Sequence, residues 1–410
     1  MEQNMTKYWL WLSAVMGTAN PRTRGLAEQF DTPKALYYAL HDPDCGLLTE
    51  QERRNLSRTK LALCERIEAY CEENGIGIMT WDSPLYPDRL RHIYNPPIVL
   101  FYKGNPALLR EHMLLTVVGT RRPSDYSKKV ADWICRDLAK CSLVLVSGLA
   151  VGIDAAAHRA AIAEGKPTIG VMGCGVDYDY PKENAALRAE MLKNGLLLSE
   201  YFPGTPPRPH HFPARNRILS GISEAVLVIE AAVKSGSLIT ANLACEQGKQ
   251  VFCVPPADIF DARYAGVVNF LRDGAYPAFN YLDILYTYYL QYPHKLTLFD
   301  EEYASRTQDS LLFAEEKPVR KSSRKKTPPA PYAEAEEPPA AQGKKEIPPE
   351  LPALHRRVLE VLQQGPMSMN ALCNALDVSF DEASMLMIEL EMAGHIRNAE
   401  RDIFVLADAE

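Results

Sequence analysis

Long apolar runs are missing from the sequence. Its apolar stretches are short, such as Leu143 to Val146, whereas a helix that crosses a bilayer needs ~20 apolar residues. The segment from Tyr8 to Ala19 follows Glu2 as well as Lys7, so it lacks the net positive charge with which export signals begin. We therefore expect a cytoplasmic protein that does not enter a membrane.

Metal-binding and nucleotide-binding fingerprints are also missing. The nine cysteines form no CxxC pair and no Cys/His cluster with zinc-finger spacing, which predicts no metal site and buried thiols in a reducing compartment. A reactive thiol at Cys174, between two glycines, is the alternative. Neither G-x-G-x-x-G nor G-x-x-x-x-G-K-[ST] occurs, so the usual phosphate cradles of dinucleotide and nucleoside triphosphate sites are absent.

Charge is distributed unevenly along the chain. The 410 residues carry a formal net charge of −7, which disfavours nucleic-acid binding by the chain as a whole. From Met113 to Leu290, however, 18 Lys and Arg oppose 17 Asp and Glu, so the remainder carries the acidic excess. Only this middle region tolerates phosphate, provided that its basic residues cluster in space.

The length predicts two to four domains, at roughly 100–200 residues each. Residues 1–75 show short helical patterns with breaks, among them Asp31 and Thr32 before Pro33 as an N-cap and first turn. We predict a small helical domain here. Its spacing resembles a SAM or helix-hairpin-helix module and equally suits a structural cap on the next domain.

Residues 76–298 show the pattern of a parallel sheet. From Leu114 onward, short apolar segments alternate with helical stretches, which is typical of strands joined by crossover helices. The segments are LLTVVG, SLVLVSG, TIGVMG, GLLLSE, AVLVIEA and QVFCVP. The predicted fold class is therefore α/β with an extended Rossmann-like parallel sheet as its core, and we expect the ligand site at the carboxyl edge of that sheet.

The last third of the chain divides into two parts. Residues 299–350 are rich in Pro, Lys and Glu, which predicts a disordered linker, and its basic run from Lys317 to Lys326 reads as solvated spacer rather than as a phosphate contact. Residues 351–410 read as three helices and a hairpin, a winged-helix-like domain. Because this domain holds 10 acidic residues against 4 basic ones, we favour a protein contact or a structural role over duplex DNA binding.

Two turns that follow predicted strands have features of anion sites. In VVGTRRPSDYS, a strand meets a turn and a helix capped by Ser124 or Asp125, so free backbone N–H groups and Arg121 face the same side. In SGLAVGIDAAAH, glycines permit close approach of a ligand, and Asp154 and His158 lie four positions apart on one helix face. We expect these two side chains to hydrogen-bond to each other and fix the loop.

Seven segments in order carry a family resemblance: VVGTRRPSDYS, SGLAVGIDAAAH, GVDYDYPKEN, LLSEY, FPARNRILSGIS, VIEAAVKSGSLIT and GVVNFLRDGA, preceded by YPDRLRHIYNPPIVLFYKGN. Together they resemble the DprA/Smf family over roughly two hundred residues. The helical first domain, the extended Rossmann core and the terminal winged helix are similar to that family's architecture. Two positions depart from its pattern, Ser127 and Pro256, where glycine is common, so close backbone approach of a phosphate is in doubt there.

The resemblance implies that Arg121 and Lys182 contact DNA phosphates. Arg215 and Arg217 could clamp a phosphate bidentately or pair with a glutamate, either Glu200 or Glu230. SGSLIT begins a helix with two hydroxyls and a glycine, which suits phosphate, and bases could stack on nearby aromatic rings, Tyr126, Tyr178, Tyr180, Tyr201 and Phe212. The expected DNA-binding residues are Gly119, Thr120, Arg121, Ser147, Gly148, Lys182, Arg215, Asn216, Arg217, Ser235, Gly236 and Ser237.

The function implied by the resemblance is that of a recombination mediator. Such a protein binds single-stranded DNA as a homodimer, protects it and loads RecA onto DNA covered by single-strand-binding protein, as in natural transformation, with no cofactor and no catalytic residue. One rival is a Rossmann-type nucleotide hydrolase of the phosphoribohydrolase class, with Asp154 and Glu230 as an acid–base pair, although its PGGxGTxxE motif is absent. The other is a winged-helix transcription factor, which the acidic charge of that domain disfavours.

Overall fold

The computed structural model describes residues 5–42, 44–289 and 291–297, and most of 351–407 with short gaps. The chain divides into two compact units, residues 1–315 and 316–410. The predicted linker over residues 299–350 lies outside the described residues, and the predicted domain boundaries stay predictions. No helix in the described part of the chain is long and apolar enough to cross a membrane.

The first unit begins with a helical layer. Its helices are α1 (Thr6–Met16), α2 (Arg22–Glu28), α3 (Pro33–Leu40), α4 (Glu50–Arg58) and α5 (Leu61–Glu73). As predicted, Thr32 is the N-cap of α3 and accepts a hydrogen bond from the backbone N–H of Ala35 at 3.1 Å, with Pro33 in the first turn. Thr49 and Glu52 form a capping box at α4.

One nine-stranded sheet forms the centre of this unit. Its order is β1-β2-β6-β5-β4-β3-β7-β8-β9. The strands are β1 (Gly77–Thr80), β2 (Val99–Gly104), β3 (Leu114–Val118), β4 (Val144–Ser147), β5 (Thr168–Val171), β6 (Leu196–Ser199), β7 (Ala225–Val228), β8 (Gln250–Cys253) and β9 (Tyr276–Pro277). β1 and β2 pair antiparallel, β2 joins β6 antiparallel, and the remaining pairs are parallel.

The six predicted parallel strands are confirmed as β3 to β8. β3 to β7 are fully buried and β8 is buried after Gln250, because helices cover both faces of the sheet. The connecting helices are α6 (Asp88–Arg91), α7 (Leu108–Glu111), α8 (Asp125–Lys140), α9 (Ile153–Ala163), α10 (Ala185–Met191), α11 (His211–Ile222), α12 (Gly236–Glu246), α13 (Ala265–Arg272) and α14 (Tyr281–Tyr289). The extended Rossmann-like α/β class is therefore correct.

The strand order reverses at β3, whose neighbours are β4 on one side and β7 on the other. In open α/β sheets, such a switch point opens a crevice at the carboxyl ends of the strands, and ligands bind there. Ser124 caps α8 by accepting the Ser127 N–H at 3.1 Å, as predicted, so the loop after β3 turns sharply beside this crevice.

The helical layer and the sheet share one apolar cluster. Trp11 and Leu12 of α1 belong to the same buried group as Leu149, Ala155 and Met172 of the sheet region. All five side chains are at most 2% exposed. The helices therefore pack on the sheet as part of one core, which supports the cap interpretation of this segment.

Lys249, just before β8, fixes the far end of α11. Its Nζ donates to the carbonyl oxygens of Ser220 (2.6 Å), Gly221 (2.7 Å) and Ser223 (2.6 Å). A lysine ammonium has three N–H donors, and all of them are used here. Arg89 donates to the Ile222 carbonyl at 3.0 Å, so Lys249 and Arg89 together satisfy the carbonyls at the end of α11.

The second unit is a small α/β fold. It contains α15 (Ala353–Leu362), β10 (Met367–Ser368), α16 (Met369–Leu376), β11 (Ile396–Glu400) and β12 (Ile403–Leu406), and its sheet has the order β10-β12-β11. Residues 383, 386–387 and 389–391 are helical and residue 393 is in a turn; the other residues of the predicted third helix lie outside the described residues. Leu359, Leu372 and Leu390 pack in its apolar core. These helices and the terminal hairpin are those of the predicted winged helix.

Candidate nucleic-acid interface

A groove of about 620 Å³ lies at the switch point of the sheet. Loops after β3, β4 and β7 and the amino ends of α11 and α12 form its walls. Eight of the twelve predicted residues line it: Gly119, Thr120, Arg121, Arg215, Asn216, Ser235, Gly236 and Ser237. Gly148 lines an adjoining recess of about 260 Å³, which shares Arg121, Tyr180 and Phe212 with the groove.

The loop after β3 brings Arg121 to the groove. The Thr120 N–H donates to the Glu230 carbonyl oxygen at 2.8 Å, which holds this loop against the end of β7. At Gly119, a Cβ atom would lie 2.7 Å from Ile153, so only glycine lets α9 approach so closely. The Arg121 side chain is exposed, and its guanidinium lies 5.9 Å from the Phe212 ring centre. Arg121 can therefore meet an anion from solvent.

Asp154 organises the loop after β4. Its Oδ2 accepts the backbone N–H groups of Gly148 (3.1 Å) and Ala150 (3.3 Å). Burial raises the pKa of the Asp154 carboxyl to about 6, although nearby Arg215 and these hydrogen bonds oppose the shift. This carboxylate is thus a weak base in an otherwise cationic groove.

The predicted hydrogen bond between Asp154 and His158 is wrong. His158 is fully buried, and its Nδ1 bonds to the Thr168 hydroxyl at 2.7 Å, which in turn donates to the Leu145 carbonyl. Burial lowers the pKa of His158 to about 3, so the ring is neutral. Because Asp154 already binds two backbone amides, each side chain fixes a different part of the fold.

Arg215 and Arg217 of α11 point to different partners. Arg215 is 5% exposed and lines the groove, and its Nη1 donates to the carbonyls of Gly148 (3.0 Å) and Val171. Burial lowers the pKa of the Arg215 guanidinium, and the charge of Asp154 partly offsets this. Arg217 instead forms a buried ion pair with Glu200 at 2.7 Å. Arg217 is therefore a structural residue in this fold, away from the groove.

The amino end of α12 forms the opposite wall. Ser235 is its N-cap, with its hydroxyl 2.7 Å from that of Ser237. Asn216 donates from its amide to the Gly236 carbonyl at 3.3 Å and so ties α11 to α12. A helix amino end with adjacent hydroxyls attracts anions, so this wall complements the arginines.

Two further predicted residues do not line the groove. Ser147 is fully buried, and its hydroxyl donates to the Val117 carbonyl at 2.6 Å, so it holds β4 to β3. Lys182 is exposed at the start of a 3-10 helix, Lys182–Asn184. It follows Tyr180 and Pro181, which line the adjoining recess, so Lys182 lies next to that recess in sequence without lining it. Ser127 and Pro256, the departures from the family pattern, line neither cavity.

Two of the five proposed stacking residues reach the groove. Tyr180 and Phe212 line it, with ring centres 5.6 Å apart. Tyr201 is buried and donates to the His211 carbonyl, and Tyr126 donates to the Pro255 carbonyl. The aromatic surface of the site is therefore the Tyr180–Phe212 pair.

Arg208 lines the groove and was not foreseen. It is an exposed residue of the segment PPRPH, which directly precedes α11. Prolines have a fixed φ and no backbone N–H, so an arginine between two prolines is disfavoured inside a helix or a strand. This pattern could have predicted that Arg208 lies in a loop. Glu230, by contrast, is 1% exposed and accepts the Ser124 N–H at 2.9 Å, so it forms no acid–base pair with Asp154 in the groove. No cluster of three metal-ligating side chains occurs within the described ranges.

These features define the class of the protein: an α/β protein with a Rossmann-like sheet whose switch-point groove is lined by arginines, serine hydroxyls and a helix amino end. The chain belongs to the DprA/Smf family. The profile of the family described as DNA recombination-mediator protein A matches residues 77–289, and that of the DprA winged helix domain matches residues 328–400.

Relatives support this assignment. The DNA processing protein DprA of Bacillus subtilis is 44% identical over 210 residues, which cover 51% of this chain and 70% of that protein. The protein Smf of Synechocystis is 36% identical over 283 residues, 67% of this chain and 70% of that protein. The crystal structure of DprA from Streptococcus pneumoniae matches with a TM-score of 0.59 and 34% identity, covering 68% of this chain and 97% of that one.

Proposed function

We propose that this protein binds single-stranded DNA in the groove at the switch point and acts in DNA recombination as a mediator. The observation that carries the proposal is the convergence of Arg121, Arg208 and Arg215 on one groove that also holds the Tyr180–Phe212 pair. Cations that meet phosphates and rings on which bases stack are the two components of a sequence-tolerant single-strand site. The family description as a recombination mediator agrees with this assignment.

The twelve residues predicted as DNA contacts fall into three groups under this proposal. The groove group comprises Arg121, Arg215, Asn216 and the Ser235–Ser237 segment, which meet the phosphate backbone, and Gly119, Thr120 and Gly148 in the turns beside it. Lys182 extends the basic surface past the adjoining recess. Ser147 and Arg217 act indirectly, because they hold β4 and α11 in place.

The proposal is tested by fluorescence anisotropy with a labelled ~20-nucleotide oligo-dT and the matching duplex at two salt concentrations. We expect tight, salt-sensitive preference for the single strand. The variant Arg121→Glu/Lys182→Glu should lose it, because reversing two cations replaces attraction by repulsion. The slope of log K against log salt should fall by ~0.7 for each lost contact.

The control variant is Arg272→Glu/Lys60→Glu, which makes the same change of charge at two exposed positions outside the groove. It should bind as the wild type does. If the single strand does not bind, or if both double variants bind equally, the groove is not the DNA site.

We further propose that the protein works as a homodimer that loads RecA onto DNA covered by single-strand-binding protein. The support is the family description alone. DNA-dependent ATP hydrolysis by RecA on coated DNA measures the activity, and addition of this protein should shorten its lag. An unchanged lag with a protein that binds the single strand would limit the function to DNA binding. Sedimentation at several concentrations tests the dimer.

A further inference from the structure

The groove carries more positive charge than one internal phosphate requires. Among the described residues, its charged lining consists of Arg121, Arg208, Arg215 and Asp154. With the carboxyl ionised, these groups give a net charge of +2. An internal phosphodiester has one negative charge, whereas a terminal phosphate monoester has about −1.5 to −2 at pH 7. The lining therefore matches a monoester in charge.

The floor of the groove is made of core residues. Val118 and Leu219 line it and are 3% and 1% exposed, and Arg215, at 5%, lies among them. A strand that passes through a site needs an entry and an exit, and each of its phosphates keeps only two free oxygens. A terminal phosphate can enter a recess with a closed floor and offers three free oxygens. The depth of the groove therefore favours the end of a strand.

Several donors are available for those oxygens. The hydroxyls of Ser235 and Ser237 and the amino end of α12, a helix of 11 residues, lie on one wall. Arg208 is exposed, and within the described residues its guanidinium has no hydrogen-bond or ion-pair partner. Unlike Arg215, which binds two carbonyls, Arg208 is free to close over a ligand from the mouth of the groove.

We propose that this groove recognises the terminal phosphate of a DNA strand, a phosphate monoester, in preference to an internal phosphodiester. The inference rests on the proposed binding of single-stranded DNA and adds the chain end as the preferred point of contact. Arg208 supplies the selectivity, because it brings the third cation to the site without a structural role of its own.

The test compares three internally labelled oligo-dT strands of equal length, with no terminal phosphate, a 5′ phosphate or a 3′ phosphate, using the full chain. We expect roughly tenfold tighter binding of one phosphorylated strand, the gain typical of a charge-assisted hydrogen bond. Which end is preferred identifies the polarity. In Arg208→Gln the strand without phosphate should lose affinity, because one groove cation is removed, and the phosphorylated strand should lose more, so that the ratio approaches one. The exposed control Arg272→Gln should keep the ratio.

Equal affinity for the three strands would overturn the inference and leave the proposed function intact. A preference for a phosphorylated strand that survives in Arg208→Gln would also overturn the inference and leave the proposed function intact. If no strand binds, the proposed function fails, and calorimetric titration of thymidine monophosphate against thymidine then decides the inference alone. Binding of the monophosphate only, weakened by Arg208→Gln, supports monoester recognition; binding of neither, or of both equally, overturns it.

Discussion

Two arginines of the same helix have different roles, and their spacing explains why. Residues two apart on an α-helix point about 200° away from each other. Arg215 therefore faces the groove and Arg217 faces Glu200. The sequence predicted that an arginine in FPARNR could bind phosphate or pair with a glutamate; Arg217 forms the pair with Glu200, and phosphate binding by Arg215 stays a prediction. The sequence could not show which arginine faces the groove and which pairs with Glu200. That assignment requires the position of α11 relative to β6, which depends on contacts between residues distant in sequence.

Arg217→Met should lower the free energy of unfolding by about 3 kcal/mol, because it leaves the Glu200 carboxylate buried without its partner. Denaturant titration by circular dichroism measures the change. Arg159→Met, which removes an exposed arginine of α9, is the control and should change stability by less than about 0.5 kcal/mol. Equal stability of the two variants would mean that the ion pair does not form.

Single-strand binding should strengthen as the pH falls from 7.5 to 5.5. The Asp154 carboxyl has a pKa raised to about 6, so it takes up a proton in this interval, and the groove loses its negative charge. Internal phosphodiesters do not titrate in this range. We expect a gain of roughly fivefold from the loss of one negative charge at a partly screened site.

Asp154→Asn is the matched variant for this pH dependence. Its amide oxygen can still accept the N–H groups of Gly148 and Ala150, while its charge is absent at every pH. It should bind at pH 7.5 as wild type does at pH 5.5, with a flat profile for an oligonucleotide that lacks a terminal phosphate. A wild-type binding profile that is flat over this range contradicts the assignment.

Low pH also favours the folded state. Because the Asp154 pKa is raised in the folded protein, the contribution of this carboxyl to stability falls as the pH rises from about 4 to 6.

At the scale of elements, the apolar runs predicted β3 to β8 correctly, because a strand buried on both faces consists almost entirely of apolar residues. The sequence did not predict the antiparallel pair β1 and β2 as separate strands. The sequence of β1, GIMT, is short and half-exposed at its start. β9 has only two residues, Tyr276 and Pro277, both exposed. β9 is a strand only because it pairs with β8, and no local sequence pattern predicts that pairing.

Gly152→Ala should disrupt the start of α9. Gly152 has φ +87°, and a Cβ atom there would lie 2.4 Å from the Thr120 carbonyl oxygen. Both the backbone strain and the clash act on the loop that carries Arg121, so we expect a loss of about 2–3 kcal/mol in stability and weaker binding of the single strand. Thermal unfolding and anisotropy measure the two effects.

Gly165→Ala is the control for Gly152→Ala. Gly165 also has a positive φ, +65°, but no atom lies within 4 Å of the added Cβ. It should cost only about 1 kcal/mol, the strain of a left-handed residue, and leave DNA binding unchanged. Similar effects of both substitutions would show that the close approach of the two loops is unimportant.

At the scale of the whole molecule, charge is divided between the units. Residues 351–410 carry 10 acidic and 4 basic residues, whereas the groove is cationic and lies entirely in the first unit. A chain that ends at residue 315 should therefore bind oligo-dT within about threefold of the full chain, because every residue that lines the groove belongs to the first unit and surface charges are screened at physiological salt. A much larger loss would assign a direct contact with DNA to the winged helix.

Lys249 gives the molecule an internal reporter. Acylating reagents must reach the amine, and the Lys249 Nζ is held in a part-buried position against the carbonyl oxygens of Ser220, Gly221 and Ser223. In a chemical footprint read by mass spectrometry, it should stay unmodified while exposed Lys60 reacts. Any condition or substitution that loosens α11, the helix that carries Arg215 and Asn216, would then become visible as a new acylated peptide before the protein as a whole unfolds.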